Sequence, residues 1–250
     1  MKLIQIHWIE EYNYCKKQIE NELQKRSVDD LTLIDDGTDV HNIKIEELKK
    51  ELEKYKERKK KIPLLPNKEL LSSFINQGKN CQFREIYVES IVLGIIGKID
   101  EVCIKDGELK LIENKLYHSR FKRIKCEYEN NIKQLIAYAL AFKDYYNYNS
   151  IIELEINRLQ KVIYAGNLEL NEYRSYYEPS FTGDSKLPYT AFYTKKPLKD
   201  LIQEIKEDIE QIRLFLEGKI RFKGEGHKVK CERCIYRKSC EESLYKKGSP

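Results

Sequence analysis

The sequence predicts an α/β domain in which helices flank a small mixed β-sheet. Two apolar-rich runs, 95–104 and 109–112, flank Asp106-Gly107, the dipeptide that two-residue type I′ hairpin turns favour. Stretches with apolar residues at three- and four-residue intervals lie before and after these runs. Helices before, after and within a short run of strands are typical of this fold class.

Composition sets the broad class of the protein. A chain of 250 residues is long enough for one large domain, or two small ones, with a substantial core. Its 46 Lys and Arg against 41 Asp and Glu give a formal charge of +5, which permits a polyanionic partner without requiring one. No apolar run is as long as a membrane span, and Glu10 and Glu11 come before a signal-peptide core can form. We therefore expect a soluble cytoplasmic protein without a membrane partner, whose seven cysteines are reduced thiols and metal ligands.

Three helices are predicted in the N-terminal third of the chain. Residues 7–26 have apolar residues at helical spacing, which places Cys15 on the apolar face. A second helix is predicted at 41–61, ending before Pro63, and its charged second half is typical of a solvated helix face. A short helix is predicted at 67–75.

The predicted sheet begins with a strand from Phe83 to Ser90, where apolar and polar residues alternate, and continues into the hairpin. The basic connector 116–125 then precedes a helix at 126–146 that carries an apolar stripe. Gln134 and Tyr138, four residues apart, share a neighbouring face of that helix.

The C-terminal part is predicted to contain two further strands, at 161–164 and 187–193. Between them, 171–186 is rich in Tyr, Ser and Gly and is interpreted as an irregular excursion. A final long helix is predicted at 198–217, with Gly218 closing its C-terminal end.

Three charged residues interrupt the apolar pattern of the hairpin. Glu113 and Lys115 share the strand face that carries Leu109 and Leu111, and Asp100 lies on the partner strand. Ionised groups in such places usually have a ligand or metal that satisfies them. Two carboxylates on adjacent strands offer the oxygen ligands that Mg²⁺ prefers, and a nearby lysine can hold a nucleophilic water and stabilise a phosphodiester transition state. A surface ion pair is the alternative interpretation.

Three short motifs extend this pattern: Gly-Lys-Ile-Asp at 97–100, Ile-Glu-Asn-Lys at 112–115, and Gln134 with Tyr138 on the following helix. Together they resemble the RecB-like branch of the PD-(D/E)XK nucleases, whose core is a restriction-endonuclease-like fold. The resemblance implies a catalytic set of Asp100, Glu113, Lys115, Gln134 and Tyr138. It also implies that His41, Asp100 and Glu113 bind Mg²⁺ or Mn²⁺, since imidazole suits the softer metal.

A group of cysteines near the C-terminus predicts a second metal centre. Cys231, Cys234 and Cys240 place three thiolates within ten positions. Zinc and a [4Fe-4S] cluster would each take four ligands, so a distant residue must complete the set. RecB-like nucleases with an iron–sulfur cluster take one cysteine from an N-terminal helix and three from the C-terminus. The resemblance therefore implies a [4Fe-4S] cluster with Cys15 as the fourth ligand, and zinc is the alternative.

Basic and aromatic residues near the motifs are candidates for nucleic-acid contact. The basic candidates are Arg120, Lys122 and Arg123, and the aromatic ones are Tyr173, Tyr176, Tyr177 and Phe181. For both groups, ordinary surface or packing roles explain the residues equally well.

The resemblance runs from Cys15 to Cys240 and implies one RecB-like nuclease domain over 1–250. It divides into an N-terminal helical part at 1–80 with the first cluster cysteine, a nuclease core at 81–195, and a segment at 196–250 with the last helix and three cysteines.

The function implied by the resemblance is metal-dependent DNA exonuclease activity on single strands or frayed ends, with endonuclease activity as a possible addition. The layout resembles the stand-alone four-cysteine nuclease of CRISPR spacer acquisition, which processes prespacers with an integrase complex, and also AddB-type nuclease domains. One alternative is a nuclease of a virus or mobile element in recombination or repair. Another is a catalytically silent nucleic-acid-binding module whose metal–cysteine clasp is only structural.

Overall fold

A mixed sheet with flanking helices organises the chain. The computed structural model describes residues 2–24, 68–117, 126–150, 152–164, 167–176 and 198–244. Within them the strands are Ile4–Gln5 (β1), Cys81–Ser90 (β2), Ile95–Lys105 (β3), Glu108–Tyr117 (β4), Ile152–Tyr164 (β5) and Asn167–Tyr176 (β6). The helices are His7–Cys15 (α1), Lys17–Leu23 (α2), Lys68–Asn76 (α3), Cys126–Tyr146 (α4), Leu198–Leu216 (α5) and Lys228–Arg233 (α6). The predicted α/β class is confirmed.

Two different strands, β1 and β4, pair with the two halves of one edge of β3 and leave a gap between them. The order of the sheet is β1-β3-β4-β5-β6, with β2 paired antiparallel to β3. Because β2 follows one edge of β3 from Ile95 to Ile104, β1 and β4 must share the opposite edge. There β1 pairs in parallel with residues 95–96 and β4 pairs antiparallel with 101–105. Residues 97–100 therefore lie where the two neighbouring strands diverge, and Asp100 is at this opening.

The hairpin forms as its sequence predicts. Asp106 and Gly107 have φ values of 53° and 84°, the left-handed conformation that a type I′ turn requires at both central positions. Lys105 and Glu108 pair across the turn and set the register of β3 against β4. The chain then continues along β4, which pairs in parallel with β5 from Leu109 to Tyr117.

Helix α4 covers one face of the sheet and contacts β2, β3, β4, β5 and α1. Its apolar stripe is buried: Ile132, Leu135 and Phe142 are each at most 1% exposed. Leu109 and Leu111 of β4 are buried in the same core. Since Glu113 follows them on the same strand face, the carboxylate is carried into the protein rather than towards solvent.

Two predicted elements differ from the structure. The helix predicted at 7–26 is interrupted at Lys16, between α1 and α2. Part of the stretch predicted as an irregular excursion at 171–186 is strand: β6 continues to Tyr176 and pairs antiparallel with β5. The Asn-, Glu- and Tyr-rich composition of β6 hides its alternation, and pairing with β5, rather than local preference, makes this segment a strand.

Among the other predicted elements, one strand was too short, one helix was missed, and two elements lie outside the described residues. The strand predicted at 161–164 is the end of the longer β5, and the short helix α6 was not predicted. The predicted helix at 41–61 and strand at 187–193 lie outside the described residues. None of the helices in the described ranges has the length and apolar character needed to cross a bilayer.

Candidate active site

The ammonium group of Lys115 is the centre of the candidate site. Its Nζ lies 3.1 Å from Oε1 of Glu113 and 2.5 Å from Oε2 of Glu10. It also donates a hydrogen bond of 2.8 Å to Oε1 of Gln134. Strand β4 and helices α1 and α4 thus meet at one lysine side chain.

Asp100 enters the site through the opening in the sheet. Its Oδ2 accepts a 2.7 Å hydrogen bond from the backbone N–H of Asn114 on β4. This bond ties the carboxylate of β3 to the strand segment that holds Glu113 and Lys115. The structure therefore brings together Asp100, Glu113 and Lys115, the three residues that the hairpin pattern predicts to be neighbours.

Glu113 has the properties of an unsatisfied metal ligand. The residue is 5% exposed, and its buried Oε2 has no hydrogen-bond partner within the described part of the chain. Burial, and then the charge of Asp100, raise the pKa of Glu113 to about 8. Two carboxylates that repel each other at a buried position fit a divalent cation, which would satisfy the orphaned oxygen and offset both charges.

Lys115 stays charged in this environment. Burial by itself would lower its pKa, but the carboxylates of Glu10 and Glu113 outweigh burial and raise the pKa above its usual value. The side chain is therefore a fixed ammonium near neutral pH. It can donate hydrogen bonds and stabilise negative charge, but it cannot accept a proton.

Gln134 and Tyr138 lie side by side on α4, as the helical spacing predicts. Nε2 of Gln134 makes a long contact of 3.5 Å with the hydroxyl of Tyr138, and both residues are buried. Burial and the nearby Glu113 raise the pKa of Tyr138, so its hydroxyl remains protonated. The Tyr138 ring packs against Gly97, where a Cβ atom would come within 2.7 Å of its Cε1 atom. Gly97, the glycine of the first motif, therefore leaves room for the Tyr138 ring.

Glu10 is the site residue that the sequence did not reveal. It lies on α1, between the buried residues Ile9 and Tyr12, and α1 packs against α4. A glutamate among buried positions of an amphipathic helix is the only signal that could have identified it. No motif in the sequence links it to Lys115, because their contact spans 105 positions.

The four cysteines of the predicted cluster meet at one pocket. Cys15 at the end of α1 lines it together with Cys231, Cys234 and Cys240. A reciprocal pair of hydrogen bonds joins α1 to α6 beside the pocket. The Tyr14 hydroxyl donates to the carbonyl of Lys230 at 3.1 Å, and Lys230 Nζ donates to the carbonyl of Tyr14 at 2.7 Å.

The donors around Cys234 suit a thiolate ligand. Nε2 of Gln18 lies 3.3 Å from its sulfur and the backbone N–H of Tyr236 lies 3.4 Å from it, so both can stabilise a charged sulfur. Burial raises the pKa of the Cys234 thiol, and the neighbouring Cys15 and Cys240 add to the shift. A positive centre bound by the thiolates would relieve this mutual repulsion.

Two kinds of centre would suit the four cysteines, a zinc ion or a [4Fe-4S] cluster. In the described residues, the one set of three or more His, Cys, Asp or Glu ligand atoms that all lie within 4.8 Å of one another contains no cysteine. Four thiolates around a single zinc ion would lie about 3.8 Å apart. No three of these four sulfurs lie within 4.8 Å of one another, and four thiolate ligands suit either centre.

The other residues singled out in the sequence are either outside the described ranges or on strands of the sheet. His41, Arg120, Lys122, Arg123, Tyr177 and Phe181 are outside the described residues. Tyr173 and Tyr176 lie on β6. Cys81 and Cys103 lie on β2 and β3 and do not line the cysteine pocket.

Comparisons with known proteins bear on the family. The family model described as the PD-(D/E)XK nuclease superfamily matches residues 16–241. Comparison with curated proteins found no match. Among solved structures, the chain is similar to one described as "Crystal structure of SSO0001", with 12% identity and a TM-score of 0.42 over 98% of this chain and 89% of the other. Because the family model spans most of the 250 residues, the chain belongs to the PD-(D/E)XK nuclease superfamily.

Proposed function

We propose that this protein is a divalent-metal-dependent DNA exonuclease that acts on single strands or at DNA ends. The proposal rests on the buried Oε2 of Glu113, which has no hydrogen-bond partner among the described residues and lies next to Asp100 and the ammonium of Lys115. A hydrolase that attacks a phosphodiester needs a cation and a positive group at one place. Nothing in a purely structural ion pair would require a second carboxylate there.

Asp100 and Glu113 would hold Mg²⁺ or Mn²⁺, with His41 as the proposed third ligand. When bound, the ion lowers the pKa of water and offsets charge on the scissile phosphate. Hydrogen bonding between Asp100 and the Asn114 backbone keeps one carboxylate oxygen directed to β4, which limits the directions in which the other can bind. The two ligands are thereby positioned before the ion arrives.

Lys115 would act as an electrostatic group. Because it remains an ammonium, it can donate to a phosphate oxygen or to the attacking water and stabilise the transition-state charge. Glu10 and Gln134 orient the ammonium from two helices. Tyr138, protonated and beside Gln134, would be a further donor at the edge of the site.

The DNA specificity that we propose comes from the RecB-like motifs, and the modest positive charge of the chain is compatible with it. Arg120, Lys122 and Arg123, which follow β4, are the proposed contacts to the phosphate backbone. Activity on single strands and frayed ends would need only such backbone contacts and stacking.

We further propose that Cys15, Cys231, Cys234 and Cys240 bind a [4Fe-4S] cluster. The four cysteines at one pocket and the donors to Cys234 support a thiolate-bound centre, and the resemblance to RecB-like nucleases with Cys15 as the remote ligand favours the cluster over zinc. A cluster that joins Cys15 to the three C-terminal cysteines would close nearly the whole chain into one loop. By analogy with covalent cross-links, this would stabilise the fold by about a few kcal/mol.

The setting that we propose is prespacer processing in CRISPR spacer acquisition, because the cysteine layout resembles that of the stand-alone nuclease of this system. Incubating the protein and an integrase complex with a duplex that has 3′ overhangs would test it. Overhangs trimmed to one defined length would support the setting. Overhangs degraded without a defined end point, whether or not the integrase is present, would favour the repair or recombination alternative.

The nuclease proposal is tested with single-stranded DNA labelled at either end and incubated with Mn²⁺. Asp100→Asn and Lys115→Ala should each lower the rate at least about 100-fold. The matched control is Lys110→Ala, which removes a lysine of the same strand that pairs instead with Glu153 and Glu155. Equal cleavage by wild type, Asp100→Asn and Lys115→Ala would overturn the proposal.

A further inference from the structure

A second group of metal-ligating side chains lies outside the candidate active site. His7 and Glu11 on α1 and Glu22 on α2 each offer a ligand atom, and these atoms all lie within 4.8 Å of one another. In a continuous helix, residues 7 and 22 would be about 22 Å apart along the axis. The interruption at Lys16 is therefore what brings Glu22 back to the start of α1.

The contact between His7 and Glu22 is longer than an ordinary hydrogen bond. Nε2 of His7 is 3.4 Å from each carboxylate oxygen of Glu22, whereas N–H···O bonds are usually about 2.9 Å long. Nitrogen and oxygen ligands of one tetrahedral cation are about 3.4 Å apart. The indole N–H of Trp8 donates to Oε2 of Glu22 at 3.1 Å and orients the carboxylate from the side.

Glu11 supplies an independent sign of a missing ligand. Its Oε2 is buried and has no hydrogen-bond partner among the described residues. The neighbouring Glu22 carboxylate adds like charge, so a proton or a cation must lie between the two groups. Burial, followed by the charge of Glu22 and a side-chain hydrogen bond with it, raises the pKa of Glu11 to about 9, so a proton can occupy this position when no cation is bound.

We propose that His7, Glu11 and Glu22 bind a divalent transition-metal cation, Mn²⁺ or Zn²⁺, at a site separate from Asp100 and Glu113. One imidazole nitrogen and two carboxylates form a mixed donor set, which favours these metals over Mg²⁺ and Ca²⁺. The half-exposed position of His7 leaves a path for the ion and room for water ligands.

The His7, Glu11 and Glu22 site would lie between the proposed active-site metal and the proposed cysteine-bound centre. Glu11 follows Glu10, whose carboxylate holds Lys115 in the candidate active site. On the other side, the charges of Glu11 and Glu22 act on the buried Tyr236 of the cysteine segment. A cation that joins α1 to α2 would fix the turn of α1 that carries Glu10.

Mn²⁺ binding to the purified protein tests the proposal, because Mn²⁺ competes poorly for thiolates. The Asp100→Asn/Glu113→Gln double variant serves as the background, since it removes the charges of the candidate active site but keeps side-chain shape. We expect it to retain one bound Mn²⁺ by electron paramagnetic resonance, and its melting temperature to rise with added Mn²⁺. Adding Glu22→Gln should weaken Mn²⁺ binding at least tenfold and abolish the rise.

Two further variants make the result decisive. Glu20→Gln, on the same helix, is the matched control, because its partner Lys17 keeps a second ion pair with Glu242; it should bind Mn²⁺ like the background. His7→Gln should weaken binding as Glu22→Gln does, which separates loss of a ligand from misfolding at α2. Absence of Mn²⁺ from the background variant, or undiminished binding after Glu22→Gln, would overturn the site and leave an ordinary ion pair. Neither result would affect the nuclease assignment, which is tested by DNA cleavage.

Discussion

Oε2 of Glu10 lies 2.5 Å from Nζ of Lys115, a residue 105 positions further along the chain. The contact brings an N-terminal helix into a site whose other members lie on β3, β4 and α4. It also explains why Lys115 keeps its proton: one carboxylate, Glu113, comes from its own strand, and Glu10 supplies a second.

Glu10→Gln should slow DNA cleavage about tenfold through kcat, with little change in KM. The substitution leaves Lys115 bound to Glu113 and Gln134 but removes the charge that orients it from α1. Steady-state cleavage of a labelled oligonucleotide with Mn²⁺ measures the effect. Glu207→Gln, an exposed glutamate on α5, is the control. An unchanged kcat in Glu10→Gln would show that the contact does not position Lys115.

Gly97→Ala should destabilise the protein by about 1–3 kcal/mol and reduce its activity. The new methyl group would come within 2.7 Å of the Tyr138 ring and 3.2 Å of Cβ of Ile6, so Tyr138 or Ile6 must move. Urea unfolding and DNA cleavage together measure both effects. Lys98→Ala, at the next and exposed position of β3, should change neither. Wild-type stability in Gly97→Ala would mean that this contact relaxes without cost.

Cys15→Ser should remove the proposed cluster and with it the brown colour and absorbance near 400 nm expected of protein purified without oxygen. Three thiolates from the C-terminal segment would lack the ligand that ties them to α1. Cys81→Ser, on β2 and away from the pocket, should keep the absorbance. A colourless wild type with one zinc ion per chain would refute the iron–sulfur assignment, and an unchanged metal content in Cys15→Ser would remove Cys15 from the ligand set.

Metal-free protein should lose stability as the pH rises from about 5 to 9. The folded-state pKa values of Glu113, about 8, and Glu11, about 9, lie above the unfolded value of 4.5. Between these limits the folded state binds protons that the unfolded state has released, so unfolding becomes easier as pH increases. Urea midpoints at pH 5, 7 and 9 measure the trend.

The same trend should be smaller with Mn²⁺ present, since a cation replaces the proton between the carboxylates. The Glu11→Gln/Glu113→Gln double variant should show a flatter pH profile without metal, because its amides do not titrate. A metal-free wild type whose stability is constant or increases over this range would contradict the assigned pKa shifts.

Much of the fold and part of the site could be predicted locally. The hairpin follows from Asp106-Gly107 and alternation, and the helix at 126–146 has the bounds predicted from its apolar stripe. Asp100, Glu113 and Lys115 come together because a tight turn sets the register of two adjacent strands. Gln134 and Tyr138 become neighbours through helical spacing alone.

The predictions that failed concern segments whose structure depends on contacts outside the segment itself. β6 has little strand preference of its own, and it is a strand because β5 offers it a free edge. The interruption of the first helix at Lys16 has no Gly or Pro to signal it. The interruption lets α2 bring Glu22 into contact with His7 and Trp8, which lie 15 and 14 positions earlier in the chain.

Local sequence patterns predicted most of the elements, the hairpin register and the motifs, because backbone geometry imposes a period of 2 on strands and 3.6 on helices. Tertiary packing brings Glu10 to Lys115, Cys15 to the C-terminal cysteines, and His7 to Glu11 and Glu22. Such contacts depend on how α1 packs against α4 and on where the chain turns at Lys16. No local pattern encodes them, because the free energy that selects them comes from burying surfaces far apart in the chain.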